Sequence, residues 1–175
     1  FFTEMPYYWT STDSRNVALA SVIPAGLGIA NLLSSRENKP YYNFIKNSTK
    51  PNWADISPTI HGVVDLLALS PLGYASYLVY KYGGGFDYTD TTIALTLFGT
   101  NLVASGLAIP LFAKREYKKI AIVKSIIFGT ALATFVAFRQ IDAKAGLLVL
   151  PYTAWTAFCA FFAYKLYNLN HVKYE

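Results

Sequence analysis

Charge is what this sequence has least of. Aspartate, glutamate, lysine and arginine make up 14% of its 175 residues, against about 25% in an average soluble domain. So few charges cannot cover a globular surface in water, which argues against a soluble helical bundle. The single cysteine, Cys159, excludes a disulfide scaffold. The two histidines and Cys159 lie in separate segments, without the spacing of a zinc site. No dinucleotide fingerprint or phosphate loop is present, because Gly83-Gly84-Gly85 lacks the lysine and hydroxyl residue such a loop needs. No spacing suggests a Ser-His-Asp or Cys-His arrangement either. The expectation is therefore no catalytic residues, no metal and no cofactor.

Apolar residues are abundant. They make up 54% of the chain, and aromatic residues 17%, with 14 Tyr, 12 Phe and 3 Trp. Such a chain is too apolar to be disordered, and amphipathic rings suit a membrane–water boundary. A helix crossing the bilayer core needs about 20 mostly apolar residues. Five windows approach that length: Val17–Ser34, Ile60–Tyr80, Thr92–Phe112, Ile120–Phe138 and Leu147–Tyr167. A transmembrane barrel would need short alternating segments, and Ser125–Phe138 does not alternate. The expected fold is an all-α membrane protein, a single domain over residues 1–175 built as a bundle of five transmembrane helices.

The basic residues orient it. Ten lie on one side: Arg36, Lys39, Lys46 and Lys50 in the first loop, Lys114, Arg115, Lys118 and Lys119 in the third, and Lys165 and Lys173 near the end. Four lie on the other side: Arg15, Lys81, Arg139 and Lys144. The positive-inside rule then places the first loop, third loop and C-terminus on the cytosolic side. The net charge of +5 belongs to a membrane surface, and no nucleic-acid partner is expected. Phe1–Trp9 reads as an interfacial segment with Tyr7, Tyr8 and Trp9 at headgroup depth, and no cleavable leader is expected there. Residues 35–59 are too long for a tight turn, and long ordered loops are usually lids or binding loops.

Three ionisable side chains fall inside the expected spans: His61, Asp65 and Lys124. A charge at the bilayer centre costs about 2.5–3.5 kcal/mol, so each needs a partner or a route to water. His61 and Asp65 are one helical turn apart and share a face. They either satisfy each other near the helix start, or bind a polar ligand group or relay protons. Lys124 either snorkels to the interface or pairs with Asp65. Trp155 follows Pro151, where a freed carbonyl can bend the helix, and either packs or lines a cavity. Trp53, in the long loop, is a lid over a pocket or an interface anchor. Pro71 should kink the second span. Thr100, Ala104 and Ala108 form a small-residue stripe fit for close helix contact, within the bundle or across a dimer.

Several runs carry a resemblance. They are Lys50-Pro51-Asn52-Trp53, then Gly73-Tyr74-Ala75-Ser76-Tyr77-Leu78-Val79, and Pro151-Tyr152-Thr153-Ala154-Trp155-Thr156-Ala157-Phe158. From about Ile23 to Asn170 the chain resembles the translocator protein family, also called tryptophan-rich sensory protein or peripheral benzodiazepine receptor. That resemblance implies a five-helix bundle with a cytosolic C-terminus in a mitochondrial membrane, usually the outer. It also implies a pocket for porphyrins, sterols or synthetic ligands, capped by the first loop. Trp53, His61, Asp65, Trp155 and Phe158 are the candidate ligand-binding residues. The implied partners are membrane lipids, a hydrophobic small molecule such as a porphyrin or sterol, and a second copy or larger membrane complex.

Departures accompany the matches. Asp65 stands where the family usually has Trp, and Ser105-Gly106-Leu107-Ala108 replaces an Asn-Trp-x-Trp pattern. Tyr167 replaces a later Trp, and the sterol-associated pattern around Tyr164 is missing. The porphyrin-degrading chemistry of some bacterial relatives relies on a pair of pocket tryptophans, of which only Trp155 survives. An enzyme is therefore not expected. The leading expectation is a ligand-binding, transport-type protein; its rival is a structural accessory subunit of a mitochondrial complex, with the pocket filled by side chains.

Overall fold

The computed structural model describes residues 9–171. Phe1 to Tyr8, most of the expected interfacial segment, lie outside the described residues. Seven α-helices account for nearly all of the rest: α1 Ser11–Ser34, α2 Pro40–Asn47, α3 Pro58–Leu69, α4 Leu72–Tyr82, α5 Thr89–Lys114, α6 Tyr117–Ile141 and α7 Ala143–His171. Five helical stretches are long and apolar enough to cross a membrane, with α3 and α4 forming one of them. The break between those two falls at Ser70 and Pro71, where proline offers no amide to continue the ladder.

The spans close into a ring. The first, α1, packs on α3 and α4, which pack on α7; α7 packs on α6, α6 on α5, and α5 returns to α1. Two glycines set how near α1 approaches. A Cβ at Gly73 would stand 2.4 Å from the Ser21 Cα, and one at Gly62 would stand 2.9 Å from the Leu32 Cα. Any larger residue would push α1 off the bundle, which is the close packing that small residues allow in membrane helices. The outward faces of the spans are apolar, with Leu19, Leu67, Val103, Leu107 and Leu147 all exposed. In water this surface would be untenable; in lipid it is the solvent-facing side.

Helix ends are fixed locally. Thr10 and Asp13 form a reciprocal capping box on α1. Gly84 and Gly85, both at φ +81°, turn the chain out of α4, a conformation that glycine adopts without a Cβ clash. Asp142 accepts from the Ala145 amide at 3.0 Å and starts α7.

The interior has two apolar cores. One lies around Leu69, Leu72, Leu78, Phe98, Phe138 and Val149. The other lies toward the first loop, around Phe44, Ile45, Phe112, Ile120, Phe162 and Leu166. Helix α2 supplies Phe44 and Ile45 to this second core, so the long loop folds inward as part of the bundle. A belt of polar residues separates the two cores.

Candidate functional site

The polar belt is built from three spans. On α5, Asn101 donates to the Ile127 carbonyl at 2.8 Å and the Thr130 hydroxyl at 3.0 Å. Its own carbonyl accepts from the Tyr152 hydroxyl of α7 at 2.8 Å. Ser105 donates to the Asn101 backbone carbonyl at 2.9 Å. This cluster is buried and hydrogen-bonded throughout, so it fixes the register of α5, α6 and α7.

Next to it lies a chamber of about 30 Å³ whose lining includes Asp65, Ser105, Lys124, Tyr152, Trp155 and Cys159. A second void of about 20 Å³ shares Asp65, Phe112, Lys124 and Cys159 with the first. It runs under the first loop past Tyr41, Phe44 and Ile45. Each void is about the size of one water molecule.

Within this region the charged groups find partners other than those expected. Asp65 and His61 share α3 but do not hydrogen-bond to each other. The Asp65 carboxylate accepts from the indole Nε1 of Trp155 at 2.5 Å. The His61 Nδ1 lies 2.7 Å from the Tyr41 hydroxyl of α2. Burial pushes the Tyr41 phenol well above its ordinary pKa, helped by the nearby Cys159 and Asp65, so it stays protonated. His61 itself is 3% exposed, and its Nε2 has no hydrogen-bond partner among the described residues.

Lys124 departs from the expected pairing. Among the described residues no ion pair joins it to Asp65. Its ammonium lies over the Phe112 ring, 5.5 Å from the centroid, and it lines both voids. Its side chain faces inward from α6 because the voids lie on that face, whereas the outer face of α6 meets lipid. The charge still acts on Asp65, His61 and Cys159 through space.

An aromatic wall on α7 joins these groups. Trp155 stacks on Phe158 at 5.2 Å, and Phe158 stacks on Phe162 at 6.1 Å. The His61 ring meets all three edge-on, at 5.8, 6.4 and 5.6 Å. Trp53 is 52% exposed and packs from the loop onto the outer end of the same wall, stacked on Phe161 at 5.6 Å. Thus His61, Asp65, Trp155 and Phe158 come together, and Trp53 touches the group from above through Phe158 at 6.2 Å. Sequence reasoning misses Tyr41, Cys159 and the Asn101–Tyr152 pair. An asparagine in an apolar span is a visible signal for the last; nothing marks Tyr41.

A family model described as the TspO/MBR family matches residues 19–168. The chain is similar to the Translocator protein of Sus scrofa, 33% identical over 107 residues, which is 61% of this chain and 62% of that protein. It is 36% identical to the Translocator protein of Ovis aries over 87 residues, 49% of this chain and 51% of the relative. With Translocator protein 2 of Homo sapiens it shares 33% identity over 95 residues, 53% and 55% of the two chains. The matched stretches thus span between half and two thirds of these relatives' length.

Proposed function

The chain belongs to the TspO/MBR family, and from that premise we propose that it takes a hydrophobic or amphipathic ligand, such as a tetrapyrrole, sterol or lipid, into its bundle beneath the first loop. The observation that carries this reading is the Trp155–Asp65 bond at the foot of the aromatic wall, closed above by the Tyr41–His61 contact. Few reasons exist to keep an intramembrane carboxylate and a lysine around one chamber, with a histidine against its aromatic wall, unless something polar is bound or moved there. Ligand pockets usually measure about 300–1,000 Å³, far more than either of these two voids. Entry therefore requires the first loop to lift, and its half-exposed Trp53 packs on the end of α7 without being buried by it. Movement of the ligand across the membrane is the transport reading of the same site. The host membrane in this proposal is mitochondrial, the outer one on family grounds, and the protein acts by binding rather than by catalysis.

The small volume of the voids also favours a second reading. In it the fold is kept as a structural accessory subunit of a mitochondrial membrane complex, inner membrane included, with the pocket filled by side chains. A porphyrin titration separates the two. On the first reading the porphyrin quenches tryptophan fluorescence saturably, and Trp155→Ala weakens binding several-fold, since an aromatic contact contributes about 0.5–1.5 kcal/mol beyond its area. Equal affinity in wild type and Trp155→Ala, or no saturable quenching, favours the structural reading.

A further inference from the structure

We propose that Lys124 is an anchor for a carboxylate, so that the ligand of this site is an amphipathic acid whose head group enters the chamber. The inference rests on the ligand-binding reading above and specifies the chemistry of its ligand. Two opposite charges face one void, but they are not equally satisfied. Asp65 already accepts the Trp155 indole N–H. Lys124 has three donors and, among the described residues, neither a hydrogen-bond acceptor nor an ion pair; only the face of Phe112 lies against it. Beside the same wall, the buried His61 Nε2 is also without a partner. In the tautomer that accepts from the Tyr41 hydroxyl at Nδ1, the ring proton lies on Nε2, a second unused donor. What the chamber lacks is therefore an acceptor, and a negative one.

The shape of the voids supports a head-and-tail molecule. The chamber is water-sized, which suits the two oxygens of a carboxylate better than the four of a phosphate. The adjoining void leads from Lys124 past Phe112, Ile120, Phe162 and Leu166, an apolar sleeve beneath α2. A chain or ring system would follow that sleeve once the loop has lifted. An ammonium facing a low-dielectric chamber gains most from a hydrogen-bonded anion, because the surroundings that make an unpaired charge costly also strengthen the pair.

A fatty acid and a tetrapyrrole propionate both supply this group, so the test uses each with its ester. Oleate against methyl oleate, and a free-acid porphyrin against its dimethyl ester, are titrated into the purified protein in nanodiscs. Each acid is expected to bind at least about tenfold more tightly than its ester, the ratio that a charge-assisted hydrogen bond of about 1.5–3 kcal/mol supports. Advantage for only one acid identifies the source. Lys124→Gln should reduce the acid's advantage over its ester to about twofold, and Lys124→Arg should keep the advantage. Asp65→Asn, which preserves an acceptor for Trp155, should raise the acid's affinity by removing a like charge.

If acid and ester bind alike to the wild type, the Lys124 proposal is overturned and the ligand-binding reading stands. If neither acid nor ester of either kind binds, both fall together. The wild-type comparison decides even if Lys124→Gln fails to fold, because it needs no variant. Retention of the full acid preference in a folded Lys124→Gln protein would also overturn the assignment.

Discussion

The two ends of the bundle are closed by different kinds of interaction. At the end where α1 begins, Asp13 is 7% exposed. It accepts from the Lys81 ammonium at 3.0 Å, from the Thr10 amide at 2.9 Å and from the Tyr77 hydroxyl. Trp9 sits edge-on to Tyr74 and Tyr77 at 5.9 and 6.0 Å, and Lys144 donates to the Tyr74 hydroxyl at 2.8 Å. At the first-loop end the fastenings are mostly neutral. Tyr41 meets His61, Ser48 meets the Tyr117 hydroxyl at 2.7 Å, and Thr49 and Asn170 exchange two hydrogen bonds at 3.1 and 3.2 Å. The loop's ion pair, Lys50 with Asp55, is long at 3.8 Å and its carboxylate is exposed, so it contributes little.

Charge balance follows the same division. Near the α1 end, among the described residues, Arg15, Lys81, Arg139 and Lys144 are matched in number by Asp13, Asp87, Asp90 and Asp142. Around the first loop, among the described residues, Arg36, Lys39, Lys46, Lys50, Lys114, Arg115, Lys118, Lys119 and Lys165 face only Glu37, Asp55 and Glu116. One end is drawn together by opposite charges at the membrane edge. The other repels itself and is held by hydrogen bonds of about 0.5–1.5 kcal/mol each. On the ligand-binding reading, the first loop is the end expected to open and the α1 end the one expected to stay shut.

The contrast between the ends is sharpest at Asp13. Asp13→Ala removes the carboxylate that Lys81, Tyr77 and Thr10 share, and it should lower the melting temperature more than a change at Asp65 or Tyr41. A drop no greater than that of a first-loop variant would end the contrast between the ends. Asp65→Ala comes next. It leaves the Trp155 indole without an acceptor, which should cost about 1–3 kcal/mol, while Asp65→Asn keeps an acceptor and costs less. Thermal unfolding in detergent ranks them, and an equal loss for both would show that the charge, not the hydrogen bond, matters there. Tyr41→Phe should have the smallest effect on stability, about 1 kcal/mol, but it should speed ligand entry by loosening α2. Unchanged association kinetics would mean that ligands do not pass that way.

Much of this architecture is legible in the residues. Five apolar runs mark the spans because lipid demands continuous hydrophobic length, and Pro71 marks the break between α3 and α4. The Thr10-x-x-Asp13 spacing shows the capping box, yet nothing local shows that Lys81 and Tyr77 return to the same carboxylate. The pairing of Asp65 with Trp155 is likewise a contact across 90 positions of sequence. Spacing along α3 suggests His61 as the partner, and charge suggests Lys124. Neither rule can weigh an indole on another helix. Lys124 illustrates the limit most clearly: a lysine in the second turn of a span can reach the interface, and only the position of the voids turns it inward. Helix α2 is hidden because eight residues between prolines read as loop until Phe44 and Ile45 have a core to enter.

Backbone-amide hydrogen exchange, measured segment by segment in nanodiscs, tests the difference between the ends most directly. Residues 40–56 should exchange faster than residues 11–16 and 77–82, and a bound ligand should change protection in the first segment alone. Equal protection at both ends, or faster exchange at the α1 end, would contradict the account.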